Sequence, residues 1–251
     1  MDMPLFCRII DQIDSVWRCR IIPYLNNEPL LDPLIVERLR YVVSKFDNPE
    51  IELSTNVSAL DPIKQAGLVG IPLAELRLSV FGFTETSHRN AMPGLRWAVV
   101  KQNLDYLVGN KALRHGIQRI SIVMVDAPGL AEQDVQLAKC YCEEHDLEFN
   151  FWGFLDRAGN VQRYSNAIYR TRIVGCEQNR PLERMHISHT GGVILCCQDW
   201  RWYNVIGNAK EQGLLDIWHS DAYNRYRRAI YAGKGEQPDV CSRCKLSIPA
   251  G

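Results

Sequence analysis

Five of the nine cysteines in this 251-residue chain lie between Cys176 and Cys244. Cys241 and Cys244 form a Cys-x-x-Cys pair, which sets two sulfurs on one tight turn. Cys176 and the adjacent Cys196 and Cys197 can bring further thiolates from distant loops. Four thiolates converging on one point suit zinc or an iron–sulfur cluster. The competing reading is buried, inert cysteine, a frequent fate of the free side chain, but a Cys-x-x-Cys pair favours ligation. Other groupings carry less. His186 and His189 fall on an expected strand and turn and face different ways, which makes them a poor metal pair. Arg225, Arg227 and Arg228, with Tyr223 and Tyr226, read as the solvated face of a helix. Neither a Gly-x-x-x-x-Gly-Lys-Ser/Thr phosphate loop nor a Gly-x-Ser-x-Gly elbow occurs.

The elements that must position these cysteines alternate along the chain. Residues 4–17 read as an amphipathic helix, with Leu5, Phe6, Ile9, Ile10, Ile13 and Trp17 at helical spacing and Cys7 on or beside that face. Strands are expected at 19–24, 51–56, 76–81, 119–125 and 147–152. Helices are expected after Pro33, at 62–68, 95–108 and 130–145, and His88 falls in a loop. Strands separated by helices imply parallel pairing through right-handed crossovers. Cys140 and Cys142 fall within a helix, where residues two apart point away from each other. Residues 156–175 form a bridge. A hairpin is expected around Thr190-Gly191-Gly192, followed by helices near 214–218, with Asn208 as cap, and at 221–232.

Composition bounds the class. Hydrophobic residues make up 46%, enough for one large or two modest cores, and 29 basic residues balance 29 acidic ones. That neutrality argues against nucleic acid and anionic lipid as partners. No apolar run reaches the roughly 18 residues of a membrane helix, and the first residues carry no secretory pattern. Nine cysteines in such a chain are expected as reduced thiols or ligands in a cytoplasmic protein.

The run Cys176…Pro181…Met185-His186-Ile187…Gly191…Cys196-Cys197-x-Asp199-Trp200…Ile206-Gly207-Asn208…Leu214-x-x-Ile217-Trp218…Pro238…Cys241-x-x-Cys244 resembles a SPASM domain. This is the auxiliary iron–sulfur module at the C-terminal end of many radical S-adenosylmethionine enzymes. The resemblance implies a [4Fe-4S] cluster on Cys176, Cys196, Cys241 and Cys244. Cys196 is preferred because the family places four residues between a glycine, here Gly191, and its ligand; Cys197 is the alternative.

Residues 1–155 resemble the radical S-adenosylmethionine barrel. Asn27-Glu28-Pro29 resembles the family's Gly-Glu-Pro turn, which receives the amino group of S-adenosylmethionine, with Asn26-Asn27 in place of the usual glycines. Ser54-Thr55-Asn56 resembles the next strand end, with Val57 where glycine is usual, and Ser79 matches the serine that reaches toward the ribose. The expected architecture is α/β: an incomplete β/α barrel of five units over residues 1–165, then a small cysteine-rich α+β SPASM domain over 166–251. The resemblance implies an oxidoreductase or modifying enzyme acting on a peptide or small metabolite. Its chemistry would be a 5′-deoxyadenosyl radical taking hydrogen from substrate, with a ferredoxin or flavodoxin as reductant. Alternatives are a non-enzymatic cluster carrier or substrate-binding protein, and a zinc-stabilised module.

The family's Cys-x-x-x-Cys-x-x-Cys triplet does not occur in these 251 residues, since Cys7 and Cys19 stand alone. The expectation is a chain shortened before its second barrel strand. Sequencing the DNA immediately upstream checks it: an in-frame triplet there makes the full protein a radical enzyme, and its absence favours the cluster carrier.

Overall fold

The computed structural model describes residues 1–14, 19–127, 129–161 and 168–250. In chain order the elements are α1 (Met3–Ile10), β1 (Arg20–Ile21), α2 (Ile35–Lys45), β2 (Glu50–Thr55), α3 (Pro62–Leu68), β3 (Glu75–Ser79), α4 (Glu85–Ala91), α5 (Trp97–Gly109), α6 (Lys111–His115), β4 (Ile120–Asp126), α7 (Glu132–His145) and β5 (Glu148–Gly153). The tail adds β6 (Ile173–Cys176), α8 (Arg180–Glu183), β7 (His186–Ile187), β8 (Gly192–Ile194), β9 (Val205–Asn208), α9 (Leu214–His219), α10 (Asp221–Tyr231), α11 (Asp239–Ser242) and β10 (Ser247–Pro249). The chain divides into two compact units, Asp14–Phe154 and the combination of Met1–Ile13 with Leu155–Gly251.

In the first unit the five strands pair in the order β1-β2-β3-β4-β5, all parallel. This is the expected α/β architecture. Unbroken strand order with right-handed crossovers sends every connecting helix to the same face. The apolar alternates Ile51, Leu53, Leu76, Leu78, Ile122 and Met124 are fully buried on that side. Helix starts are locally encoded. Asp61 accepts from the Lys64 N–H at 2.7 Å ahead of Pro62, and Thr84 and Ser87 cap α4 reciprocally.

The other face is charged, which is unusual for a parallel sheet. The register sets Glu52 beside Glu75, Arg77 beside Ser121, and Ser121 beside Glu148. The Glu52 carboxylate accepts from Arg77 at 2.6 Å, from the Tyr24 hydroxyl at 2.7 Å and from Arg20 at 3.1 Å. Glu75 accepts from Arg119 at 2.6 Å, Arg77 at 2.9 Å and Ser121 at 3.3 Å. The Arg77 guanidinium also lies over the Trp152 ring at 5.2 Å. Each carboxylate is 2% exposed and survives burial because it is paired and hydrogen-bonded.

In the second unit β7, β8 and β9 form an antiparallel sheet, and β10 pairs with β6. The β7–β8 hairpin turns at Gly191, where φ is +91° and a Cβ would meet the Asn208 Oδ1 at 2.7 Å. One core gathers Ala158, Ile173, Leu195, Cys196, Tyr223, Ile230, Val240 and Cys244. A second sets Leu5 and Ile9 of α1 against Ala209 and Leu214. Arg8 Nε donates to the Ala209 carbonyl at 3.0 Å, and the Leu214 N–H donates to Gln12 at 2.9 Å.

Several expectations are corrected. The first helix ends at Ile10 rather than residue 17, and Trp17 lies outside the described residues. Its apolar stripe groups with the tail. His88 sits on α4, buried against Trp97 at 5.3 Å between ring centres, because the Thr84–Ser87 cap starts a helix there. Gly213, not Asn208, precedes α9; Asn208 ends β9 and its side chain accepts from the Lys210 N–H. Arg227 is not a solvated charge: its guanidinium lies 4.1 Å from the Trp218 ring and 3.9 Å from that of Tyr223.

Glu75 gives a pH-dependent prediction. Burial pushes its pKa up, but hydrogen bonds and charge from Arg77 and Arg119 outweigh this and hold it at about 2, below the usual 4.5. A depressed carboxylate stabilises the fold above its unfolded pKa and loses that contribution as pH falls through the folded value. Glu75→Gln should cost about 2–3 kcal/mol at neutral pH, solvent around Arg119 trimming the full linkage value. In urea titrations the gap from the parent should shrink between the usual carboxylate pKa and the depressed one.

Candidate functional site

Four of the tail cysteines are brought together by strand pairing and one short helix. The β6–β10 register sets Cys176 opposite Ser247, just beyond the Cys241–Cys244 turn. That turn is tied down by Ser247 Oγ donating to the Cys241 carbonyl at 2.7 Å and by Arg170 donating to the Cys244 carbonyl at 2.6 Å. Cys196 follows β8 and shares a buried core with Cys244. The thiols feel one another. Burial pushes Cys241 well above its usual range, and Cys244 and Cys176 push it further. Cys244 is raised by burial and by Cys176, with Arg170 and Arg180 opposing. Among the described residues no three His, Cys, Asp or Glu side chains close to single-ion distances.

Cys197 faces a different set of groups. Arg180 donates to its sulfur at 3.2 Å. Its pKa is lowered by a hydrogen bond from Cys196 and, against burial, by His186 and Arg180; Cys196, giving that bond from a buried position, is raised. Gln198, with its amide turned to satisfy its neighbours, accepts from Arg180 at 2.9 Å and Arg157 at 3.1 Å. The loop beyond closes on Asp199, a buried carboxylate that accepts from the Tyr203 and Asn204 N–H groups at 3.1 and 2.7 Å and from the Asn204 amide at 2.9 Å.

A cluster is tested against this donor set by asking what the site leaves unsatisfied. Among the described residues the buried Tyr231 hydroxyl and Arg180 Nε have no hydrogen-bond partner. Tyr231 feels the charges of Cys176, Cys241 and Cys196, and Arg180 those of Cys197, Cys196 and Cys176. Four thiols with two idle donors beside them fit an anionic, sulfur-rich group. Reading the sequence missed Arg180 and Tyr231, because a lone arginine four residues after a cysteine and a tyrosine at a helix end carry no pattern. The remaining cysteines stand apart: Cys19 and Cys140 are exposed, Cys7 is half-buried on α1, and Cys142 is buried on α7.

In the other unit, the strand ends expected to hold a cosubstrate do converge. Glu28 reaches across to β2, where Thr55 Oγ1 donates to it at 2.7 Å and the Asn56 N–H at 2.6 Å. It also accepts from the Leu30 N–H at 3.1 Å, capping the 3-10 turn that Pro29 opens. Asn27 folds back to accept from the Leu25 N–H at 3.2 Å. The Ser79 hydroxyl lies 3.2 Å from that of Ser54. Val57 holds φ at +68°, the left-handed region that suits the glycine usual there. Its carbonyl is pinned by the buried Asn103 amide at 2.8 Å.

The parallel β/α sheet and the cysteine-rich tail can each be compared with known proteins. Residues 176–245 match the SPASM family, an iron–sulfur cluster-binding domain. A 54-residue stretch is 35% identical to S-adenosyl-L-methionine-dependent 2-deoxy-scyllo-inosamine dehydrogenase of Niallia circulans; it spans 22% of this chain and 22% of that protein. The fold resembles the crystal structure of BtrN in complex with AdoMet and 2-DOIA, with a TM-score of 0.64, 17% identity, and coverage of 100% of this chain and 82% of that one. It also resembles Streptococcus suis SuiB bound to S-adenosylmethionine, with a TM-score of 0.67, 15% identity, and coverage of 97% and 63%. The SPASM match over residues 176–245 and the shared fold support a relationship to radical S-adenosylmethionine/SPASM proteins.

Asp199→Ala should leave three donors without their acceptor and lower stability by about 2–3 kcal/mol, measured by urea unfolding of the intact chain.

Proposed function

We propose that this chain binds one [4Fe-4S] cluster through Cys176, Cys196, Cys241 and Cys244 and belongs to an oxidoreductase that works on a small hydroxylated metabolite. The observation that carries the cluster assignment is the convergence of four thiols beside the idle Tyr231 and Arg180 donors. A tetrahedral zinc asks for all its sulfurs within one coordination sphere. A cluster instead takes one thiolate at each corner, and iron and sulfide analysis separates the two. Cys196 is the better fourth ligand, because it lies in the core with Cys244 while Cys197 is engaged by Arg180.

When bound, the cluster supplies one-electron redox chemistry. The chain's own contribution is to exclude water with the Leu195, Tyr223, Ile230 and Val240 core and to fix the Cys-x-x-Cys turn through Ser247 and Arg170. S-adenosylmethionine is the cosubstrate proposed for the turn at Asn27, Glu28 and Pro29, with Thr55, Asn56 and Ser79. Both Glu28 oxygens are engaged by the chain itself, so its role there is to hold the turn's backbone in place. The metabolite reading draws on the relative that is a 2-deoxy-scyllo-inosamine dehydrogenase. A peptide substrate is the second reading, favoured by the similar fold of SuiB bound to precursor peptide SuiA. A ferredoxin- or flavodoxin-type reductant and a cytoplasmic setting complete the proposal; no helix among the described residues is long and apolar enough to cross a membrane.

Anaerobic purification and reconstitution should give a brown protein with iron and acid-labile sulfide in equal amounts and no zinc. Cys196→Ser should lose the iron while Cys197→Ser keeps it; retention in Cys196→Ser with loss in Cys197→Ser would reassign the ligand. Incubated with strong reductant and S-adenosylmethionine, the 251-residue chain should release no 5′-deoxyadenosine, since no Cys-x-x-x-Cys-x-x-Cys triplet occurs in it.

A further inference from the structure

Among the described residues Arg180 is a buried cation that makes no ion pair with a carboxylate. It is 8% exposed, and among the described residues its hydrogen-bond partners are the Cys197 sulfur at 3.2 Å and the neutral Gln198 amide. A second guanidinium, from Arg157, is aimed at the same amide and adds positive charge. Burying an unpaired charge is costly, and folds that do so compensate it. The negative charge within reach is that of the sulfurs: Arg180 lies in the field of Cys197, Cys196 and Cys176.

Tyr231, at the end of α10, approaches from another element. Its hydroxyl is buried, makes no hydrogen bond among the described residues and lies in the field of Cys176, Cys241, Glu183 and Cys196. A phenol buried without a partner forfeits the water it gave up. The Arg180 Nε on α8 and the Tyr231 hydroxyl on α10 are therefore idle donors near two shared thiols, Cys176 and Cys196. Each becomes satisfied once an anionic sulfur-bearing group lies between them.

We propose that Arg180 and Tyr231 are positioning residues that set the reduction potential of the tail cluster, Arg180 by its charge and Tyr231 by an O–H donated to sulfur. This rests on the cluster assignment above. Adding an electron makes a thiolate-bound cluster more negative, so a nearby cation and a sulfur-directed donor both stabilise the reduced form. Removing either should make the potential more negative.

The test uses the reconstituted chain, with iron and sulfide content measured first and the midpoint potential then read by EPR-monitored titration. Tyr231→Phe keeps the ring and deletes only the donor; it should retain full iron and shift the potential negative. Arg180→Met should shift it further, and Arg180→Lys should restore part of the shift by restoring the charge. Should Arg180→Met fail to hold the cluster, Tyr231→Phe and Arg180→Lys decide the matter. Loaded variants with the parent's potential overturn the proposal. A parent chain that takes up no iron and sulfide refutes the cluster assignment instead.

Discussion

Compensation of buried charge is the constraint on which both units depend. In the parallel sheet, Glu52 and Glu75 sit on a face that other parallel sheets fill with aliphatic side chains. They are held there by Arg20, Arg77 and Arg119, which reach across neighbouring strands. The pairing is shared: Arg77 bridges both carboxylates, so β2, β3 and β4 are tied by ions as well as by backbone hydrogen bonds. Such an arrangement lines the inner face of the sheet with polar groups without leaving any carboxylate uncompensated. It also frees the strand ends above, where Glu28, Thr55 and Asn56 meet, from carrying the fold's core.

The tail applies the same rule with different chemistry. Its aliphatic core is small, and cysteine supplies part of it: Cys196 and Cys244 pack with Ile173, Leu195 and Ile230. Arg227 shows how a cation is accommodated where no carboxylate is near. It stacks between Trp218 and Tyr223 and donates to the Pro181 and Trp218 carbonyls, joining α8, α9 and α10. Among the described residues Arg180 has no such aromatic stack, and this separates the two arginines in kind.

Much of the barrel was legible because its signals are long. Ile51–Leu53, Leu76–Leu78 and Ile120–Met124 alternate with apolar faces buried on one side, and helices of ten or so residues intervene. The convergence of Glu28 with Thr55 and Asn56 followed from placing each at a strand's C-terminal end. The tail was harder. Strands of two to four residues, such as β9 and β10, fall below the length at which period-two alternation can be counted. His88 went unread as helical because its helix is started by the Thr84–Ser87 cap rather than by an apolar stripe. Arg180 and Tyr231 were invisible for a simpler reason: what singles them out is the absence of partners, a property that exists only after folding.

The docking of α1 on the tail has a consequence for how the chain acquires its structure. Arg8 and Ala209 are 201 positions apart, and the Gln12–Leu214 bond spans 202. During synthesis at about 5–20 residues per second, the apolar stripe of Leu5 and Ile9 waits roughly 10–40 s for its partner surface. The parallel sheet can form meanwhile, since all its strands lie between. Helix α1 is thus made before the sheet and seated after it, and over that interval its apolar face is open to a chaperone or to misassociation.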